Sequence, residues 1–292
     1  MYNEGFLVSN YNNLALPSVF QSLLQEFEDM FQDKEIPPIR GTEHKIDFIP
    51  RTVIPYKPAY RVNPTETKEI QRQVEELMEK GYVPESLSPC SIRDLLVPKK
   101  DETWRMCVDD RAINKITVKY RHPIHRLDNM LREFHCSCLF IKIVLRYGYH
   151  QIRMHVGDEW KTTFKIKFGW YECLVMSFGL TNAPSTFTRL IYNVLRKYLG
   201  KHVVVYIDDI LIYLKTFIEH VENVKLVLIT HRKEKFQSYF NKCSFCMKKV
   251  HFFSFIVDKN GVELDKEIVK IIRDLPTPKS ASEVRSFHGL AL

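Results

Sequence analysis

The sequence predicts an α+β fold, and three patterns carry that expectation. Residues 203–214 (VVVYIDDILIYL) set two adjacent carboxylates between β-branched and aromatic residues. Each flank reads as a buried strand, with Asp208 and Asp209 as the turn between them. Several other segments carry apolar residues at spacings of three and four between start and stop signals, which is the mark of amphipathic helices. Paired extended runs joined by short polar links supply hairpins.

Length and composition set the bounds. A chain of 292 residues suffices for one large or two ordinary domains with substantial cores. Its hydrophobic fraction of 45% and charged fraction of 27% are those of a soluble globular protein and exclude the disordered class. Lys and Arg number 43 against 35 Asp and Glu, for a net charge of +8, which is compatible with a polyanionic partner. The odd count of seven Cys points to a reducing, intracellular setting, and the start, MYNEGFLVSN, has neither the basic run nor the apolar core of a secretory leader. Apolar stretches are broken by charge well short of 18 residues, so no membrane span is expected.

In chain order, Phe20, Leu23, Leu24, Phe27 and Phe31 predict a packing helix over 17–32. Residues 35–62 are rich in Pro and should wrap a surface. Asn63 as cap, Pro64 at the first helical position and Glu66 three residues after the cap open a helix. Its apolar stripe is Ile70, Val74, Leu77 and Met78, its solvated face holds Lys68, Arg72 and Gln73, and Gly81 closes it. Residues 95–98 and 103–108 read as strands joined by a tip containing Lys99 and Lys100, which either holds phosphates or serves only solubility. A short helix over 126–134, a strand over 139–145, a turn at Gly148 and a strand pair across 161–168 and 170–175 follow. Asn182 or Thr181 should cap a helix with Phe187, Leu190, Ile191, Val194, Leu195 and Leu199 on its core face, ending at Gly200. Another helix carries Ile218, Val221, Val224, Val227 and Leu228. The tail offers strands through 250–257 and 261–264, a turn at Asn260 and Gly261, a helix capped by Asp265, and a last helix opened by Ser280 and Glu283. That last helix is expected to be cut off inside an element.

The chemistry begins at the Asp pair. Burying a carboxylate costs several kcal/mol unless something offsets it, and a bound cation is the usual offset for clustered acids. Mg²⁺ suits hard oxygen ligands and often reaches proteins through one or two carboxylates plus substrate phosphates. A polar hairpin turn is the plainer alternative. Cys243 and Cys246 form a CxxC near His251, but no second ligand pair with finger spacing follows, which argues against zinc. His122, His125, His150 and His155 are scattered, with no nucleophile setting, and phosphate-binding Gly-rich loops are missing.

An ordered series of blocks resolves the choice: SPCSIRDLLVPKKDETWRMCVDDRAINKITVKYRHPI, GYHQIRMHVGDEWKTTFK, FGLTNAPSTFTRL, VVVYIDDILIY and VRSFHGLA. Together they resemble the reverse transcriptase domain of retrotransposon polyproteins, most closely the gypsy-type LTR elements of plants, from about residue 17 to the end. The resemblance implies a right-hand polymerase: fingers over 60–118 and 152–182, a palm over 119–151 and 183–257 built on an antiparallel sheet with helices on one face, and the start of a thumb over 258–292, after a lead segment over 1–59. It implies template-directed dNTP addition on an RNA or DNA template with a primer, through two Mg²⁺ ions. Asp208 matches the metal-bridging carboxylate, Asp209 its neighbour and Tyr206 the aromatic that supports the turn. Lys99 and Arg105 match residues that hold the incoming triphosphate, and Tyr149 matches the aromatic floor that rejects a ribose 2′-hydroxyl.

One departure outweighs the matches. Where the family reads K-I-D-L-R-S-G-Y-H-Q, this chain has Lys142, Ile143, Val144, Leu145, Arg146, Tyr147, Gly148, Tyr149, His150 and Gln151. Val144 stands at the position of a bridging aspartate and cannot ligate Mg²⁺. Asp109 and Asp110 are no substitutes, because that strand belongs to the fingers. Arg93, Asp94, Tyr147, Ser177 and Ser254 also depart from the pattern, so the expected product is an impaired copy. Two functions follow from the sequence, an RNA-directed DNA polymerase and a catalytically silent, nucleic-acid-binding remnant, and Val144 discriminates them.

Overall fold

A computed structural model of the chain describes residues 16–32, 36–58, 63–98, 104–123, 130, 133–134, 137–206, 209–214, 216–252 and 255–291. Helix α1 runs over Ser18–Glu26 and tightens into a 3-10 turn over Glu28–Phe31. The break falls at Phe27, so the expected single helix is shorter. The burial pattern is as expected, however, with Phe20, Leu23, Leu24, Phe27 and Phe31 all in the core.

The next helix, α2 over Pro64–Glu79, opens with the reciprocal capping box of Asn63 and Glu66. Ile70 and Val74 are buried beneath it, and Gly81 closes it at φ +69°. Two expectations fail here. Met78 is exposed. Gln73, expected on the solvated face, instead donates to the Trp104 carbonyl at 3.1 Å and accepts from the Met106 N–H at 2.8 Å. Polar residues that pin a neighbouring strand are indistinguishable by periodicity from solvated ones.

That strand is β2, Trp104–Asp109, paired antiparallel with β1, Ile92–Pro98. A short helix, α3 (Arg111–Ile116), follows, then β3 (Leu139–Val144), β4 (Phe164–Ile166) and β5 (Gly169–Tyr171). The first sheet has the order β2-β1-β4-β5, with β1 and β4 parallel. The β4 and β5 strands occupy only the inner part of the expected pair. The tip between β1 and β2 and most of the expected 126–134 helix lie outside the described residues.

Helix α4, Ala183–Leu195, precedes strands β6 (Val203–Tyr206) and β7 (Asp209–Leu214), and α5 (Phe217–Lys233) follows them. Asn182 stands at the start of α4 but makes no side-chain cap. Its amide instead accepts from the Tyr120 N–H at 3.1 Å and donates to the Val118 carbonyl at 2.9 Å, tying the preceding loop to the helix. The second sheet is antiparallel throughout, in the order β6-β7-β3-β8, with β8 over Ser244–Met247.

Alternation along these strands divides the core. Ile141, Ile143, Val203, Val205, Ile210 and Ile212 join the large core with Leu190, Ile191, Leu195, Val224, Val227 and Leu228 of the helices. The opposite face carries Phe140, Val204, Leu211 and Tyr213, which pack with Met130, Phe134, Val250, Phe252 and Val257. A third sheet covers that face: β9 (Lys249–Phe252), β10 (Phe255–Asp258) and β11 (Gly261–Leu264), in the order β11-β10-β9. Helices α6 (Lys266–Asp274), with Asp265 accepting from the Glu267 N–H, and α7 (Ala281–Ala291) end the chain. No described helix is long and apolar enough to cross a membrane.

Phe134 is the centre of the smaller core. Its ring meets Phe140 at 6.3 Å, Tyr213 at 5.2 Å and Phe252 at 5.7 Å, each edge to face. Phe252, fully buried, therefore couples the third sheet to the strands around Asp209. Phe252→Ala is expected to lower stability by about 3–5 kcal/mol in urea denaturation, the cost of an emptied aromatic site.

Candidate functional site

The sequence directs Asp209 to the start of β7, where it pairs across the ladder with Tyr206 of β6 and with Val144 of β3. Asp208 itself, like Lys99, lies outside the described residues. Tyr206 is half-buried, with its ring 6.4 Å from that of Phe252.

Val144 presents no oxygen toward Asp209. Its backbone is held on both sides: its N–H approaches Cys243 Sγ at 3.4 Å, and its carbonyl accepts from the Tyr239 N–H at 2.9 Å. Lys142, two residues earlier on the same face, places Nζ 2.6 Å from Asp209 Oδ2, and also donates to the His251 carbonyl at 3.5 Å. Both side chains of this ion pair are mostly buried, 20% and 26% exposed. Sequence reasoning missed the pair, because Lys142 lies 67 positions from Asp209 and only the β3–β7 register joins them. Among the described residues no group of three or more His, Cys, Asp and Glu side chains could hold a metal ion. The described part of the site thus fails to fit a pair of divalent ions: one position offers a valine and the neighbouring carboxylate is engaged by an ammonium.

The run after Val144 builds a second group. Tyr147 adopts φ +46°, and a 3-10 turn follows over Gly148–Gln151. A Cβ on Gly148 would meet the Phe187 ring at 3.1 Å, so any larger residue there would require that ring to give way for the turn to sit against α4. Tyr149 packs its half-buried ring 4.8 Å from Phe178 and 5.4 Å from Phe187. Gln151 locks the turn from below, donating to the carbonyls of Arg146 at 2.6 Å and Gln237 at 2.7 Å and accepting from the Gln237 N–H at 2.9 Å. The His150 ring lies near Tyr147, Phe178 and Tyr82. Burial, aided by the charges of Lys80 and Arg105, pushes its pKa down to about 4, so it is neutral. Arg105, exposed on β2 opposite Val97, is thereby placed within electrostatic reach of the turn that carries Tyr149.

The other candidates separate from these groups. Asp109 forms an ion pair with Arg111 at 2.7 Å. Asp110 is buried beside Gly179, with Ser177 Oγ 3.5 Å from Oδ2 and no hydrogen-bond partner for Oδ1. Burial pushes the Cys243 thiol up to about 11 and Cys246 up to about 12.

The chain was compared with known proteins. The family model described as reverse transcriptase (RNA-dependent DNA polymerase) matches residues 97–257. The retrovirus-related Pol polyprotein from transposon 297 of Drosophila melanogaster is 36% identical over 240 residues, 80% of this chain and 23% of that protein. The corresponding polyprotein from transposon opus, also of Drosophila melanogaster, is 33% identical over 282 residues, 93% of this chain and 28% of that protein. The chain therefore spans about a quarter of the length of these relatives. A solved structure of a foamy viral protease-reverse transcriptase in complex with double-stranded DNA aligns with a TM-score of 0.84 at 22% identity, covering 99% of this chain and 52% of that one. This likeness shows the fold: the α+β, right-hand polymerase architecture.

The burial of Asp110 generates a pH dependence. Its desolvated carboxyl has a pKa well above the ordinary value, so folding takes up a proton in the window between the unfolded and folded values. Its contribution to stability is complete below the ordinary Asp range and is lost as pH rises toward the folded value. Asp110→Asn, which removes the ionisation and keeps the shape, is expected to stabilise the chain at pH 7 by about 1–3 kcal/mol. The gain should vanish below about pH 4 in thermal melts across a pH series.

Proposed function

The chain belongs to the reverse transcriptase (RNA-dependent DNA polymerase) family, and from that premise we propose that it is the polymerase domain of a gypsy-type LTR retrotransposon, in a copy whose catalysis Val144 has impaired. Its substrates on this reading are dNTPs and a primer paired with an RNA or DNA template. The fingers comprise residues 60–118 and 152–182, the palm 119–151 and 183–257, and the first part of the thumb 258–292. An intracellular setting accords with the free thiols of the described cysteines.

The roles follow from chemistry. Arg105, exposed beside the Tyr149 turn, offers a guanidinium whose forked donors suit triphosphate oxygens, and Lys99 adds a point charge. Tyr149, fixed by Phe178, Phe187 and the Gly148 turn, supplies a rigid ring under the sugar. A ring there leaves no room for a 2′-hydroxyl, which selects dNTPs over rNTPs. Reverse transcriptases use divalent metal ions, which would supply charge neutralisation for nucleotidyl transfer. Asp208 and Asp209 are the carboxylates for that role here, but Val144 withholds the third and Lys142 already neutralises Asp209.

The observation that carries the reading of impairment is the Val144–Asp209 pairing, which sets an aliphatic side chain where the family's bridging carboxylate stands. A catalytically silent remnant that still binds nucleic acid is the second reading, and the same pairing favours it. Such a remnant should hold primer–template with an affinity that falls steeply as salt rises, since phosphate contacts release counterions. Primer extension on an RNA template with dNTPs and Mg²⁺, run side by side on the chain and on Val144→Asp, separates the two readings. The variant is expected to exceed the parent by about a thousandfold or more, from several kcal/mol of recovered transition-state stabilisation. Equal, robust extension by the unmodified chain would remove Val144 as the lesion.

A further inference from the structure

We propose that Arg40 is a positioning residue for sugar selection: its buried guanidinium clamps the turn that carries Tyr149, and so fixes the ring that a ribose 2′-hydroxyl would meet. The inference rests on the role of Tyr149 given above. Arg40 lies in the Pro-rich segment, 111 positions before Gln151, and its side chain is only 6% exposed. Nη1 donates to the Gln151 carbonyl at 2.5 Å, while Nε and Nη2 both donate to the Glu234 carbonyl, at 3.0 and 2.5 Å. Its guanidinium carbon stands 4.6 Å from the centre of the Phe236 ring. One side chain thus joins the last residue of the Gly148–Gln151 turn to the residue that closes α5.

The loop after α5 is the floor of the turn. Arg146 N–H donates to the Gln237 carbonyl at 2.9 Å, and Gln151 exchanges hydrogen bonds with the backbone of Gln237 through Nε2 and Oε1. Arg40 closes this stitching at its open side. A cation suits the place, because carbonyls at a helix C-terminus carry partial negative charge. Its carboxylate support is slight: Glu234 Oε2 is 3.8 Å from Nε, and Glu43 Oε1 accepts from the backbone N–H groups of Arg40 and Gly41. Burial lowers the guanidinium pKa to about 10, which leaves it charged at neutral pH. Holding the Pro-rich segment to the body of the fold does not require this buried charge. Backbone bonds already do so, from His44 to Arg153 at 2.8 Å, from His155 to His44 at 2.8 Å and from Ile49 to Ile116 at 2.7 Å. What Arg40 adds is a fixed distance between Gln151 and α5. Phe178 and Phe187 hold the Tyr149 ring from the side, and Arg40 holds the backbone from which that ring projects. Rejecting one extra oxygen demands such a fixed ring.

The test measures binding of dATP and of ATP to the full chain on a primer–template, with Mg²⁺ and a dideoxy-terminated primer that prevents addition. Preference for dATP is expected to be about a hundredfold in the parent and about tenfold or less in Arg40→Lys. Lysine keeps a positive charge beside the Glu234 carbonyl but lacks the planar fork that spans both carbonyls. Arg40→Gln should narrow the preference at least as far. A ratio of affinities is independent of the folded fraction, so a merely structural loss leaves it unchanged. Hydrogen exchange supplies the second readout. The amides of His150 and Ile152, bonded to the Tyr147 and Tyr149 carbonyls, should exchange about tenfold faster in Arg40→Lys, with those of β3 and β7 unaltered. An unchanged preference in both variants would overturn the inference, and so would a narrowed preference without faster exchange at the turn. Failure of the polymerase reading looks different: the parent complex itself binds neither nucleotide, or binds both alike, and the inference falls with it.

Discussion

The antiparallel register of β3 against β7 is the constraint on which the rest depends. Ile141 faces Ile212, Ile143 faces Ile210 and Val144 faces Asp209, and the sheet they form is buried on both faces. A slip of one residue would turn every isoleucine of β3 away from α4 and α5 and drive Lys142 into the large core. The register therefore has no alternative of comparable stability. It fixes which side chain stands opposite the acid, whatever that side chain happens to be. Phe134 and Phe252 secure the same arrangement from the other face by holding the third sheet against Phe140 and Tyr213.

What the sequence made legible was local. The capping box at Asn63, the strand–acid–strand pattern around Asp209, the turn before Gly261 and the cap at Asp265 all appear where their residue types require. What escaped it was long-range. Gln73 reads as a solvated helix residue until β2 is laid beside it, and Asn182 reads as a cap until the 118–120 loop claims its amide. Met78 completes an apolar stripe on paper, but it points past the edge of what α2 covers.

The candidate site divides in the same way. The place of Val144 within the resembling run singled it out, and the register sets it opposite Asp209. The Lys142–Asp209 ion pair was not legible, because neither residue signals the other and only folding brings them to 2.6 Å. Nor was the cavity beside them, which gathers residues from four strands and a loop. Tyr149 and Arg105 lie between these extremes: the resemblance implied roles for them, and their shared surroundings around His150 emerged only in three dimensions.

The fold itself has no need of a carboxylate at position 144. Two like charges directly opposite each other in a ladder destabilise it, and a half-buried acid without a bound cation is costly to ionise. Valine removes both penalties and adds a β-branched side chain that suits the pleated surface. Lys142 then completes the neutralisation of Asp209 within the protein, so that no external cation is required for the strands to close. Sites shaped for catalysis commonly sacrifice stability, and a substitution that ends the chemistry can relieve the strain that the chemistry imposed. At the β3–β7 ladder, therefore, the residue types that serve the strands' pairing are Val144 opposite Asp209 and Lys142 on its carboxylate.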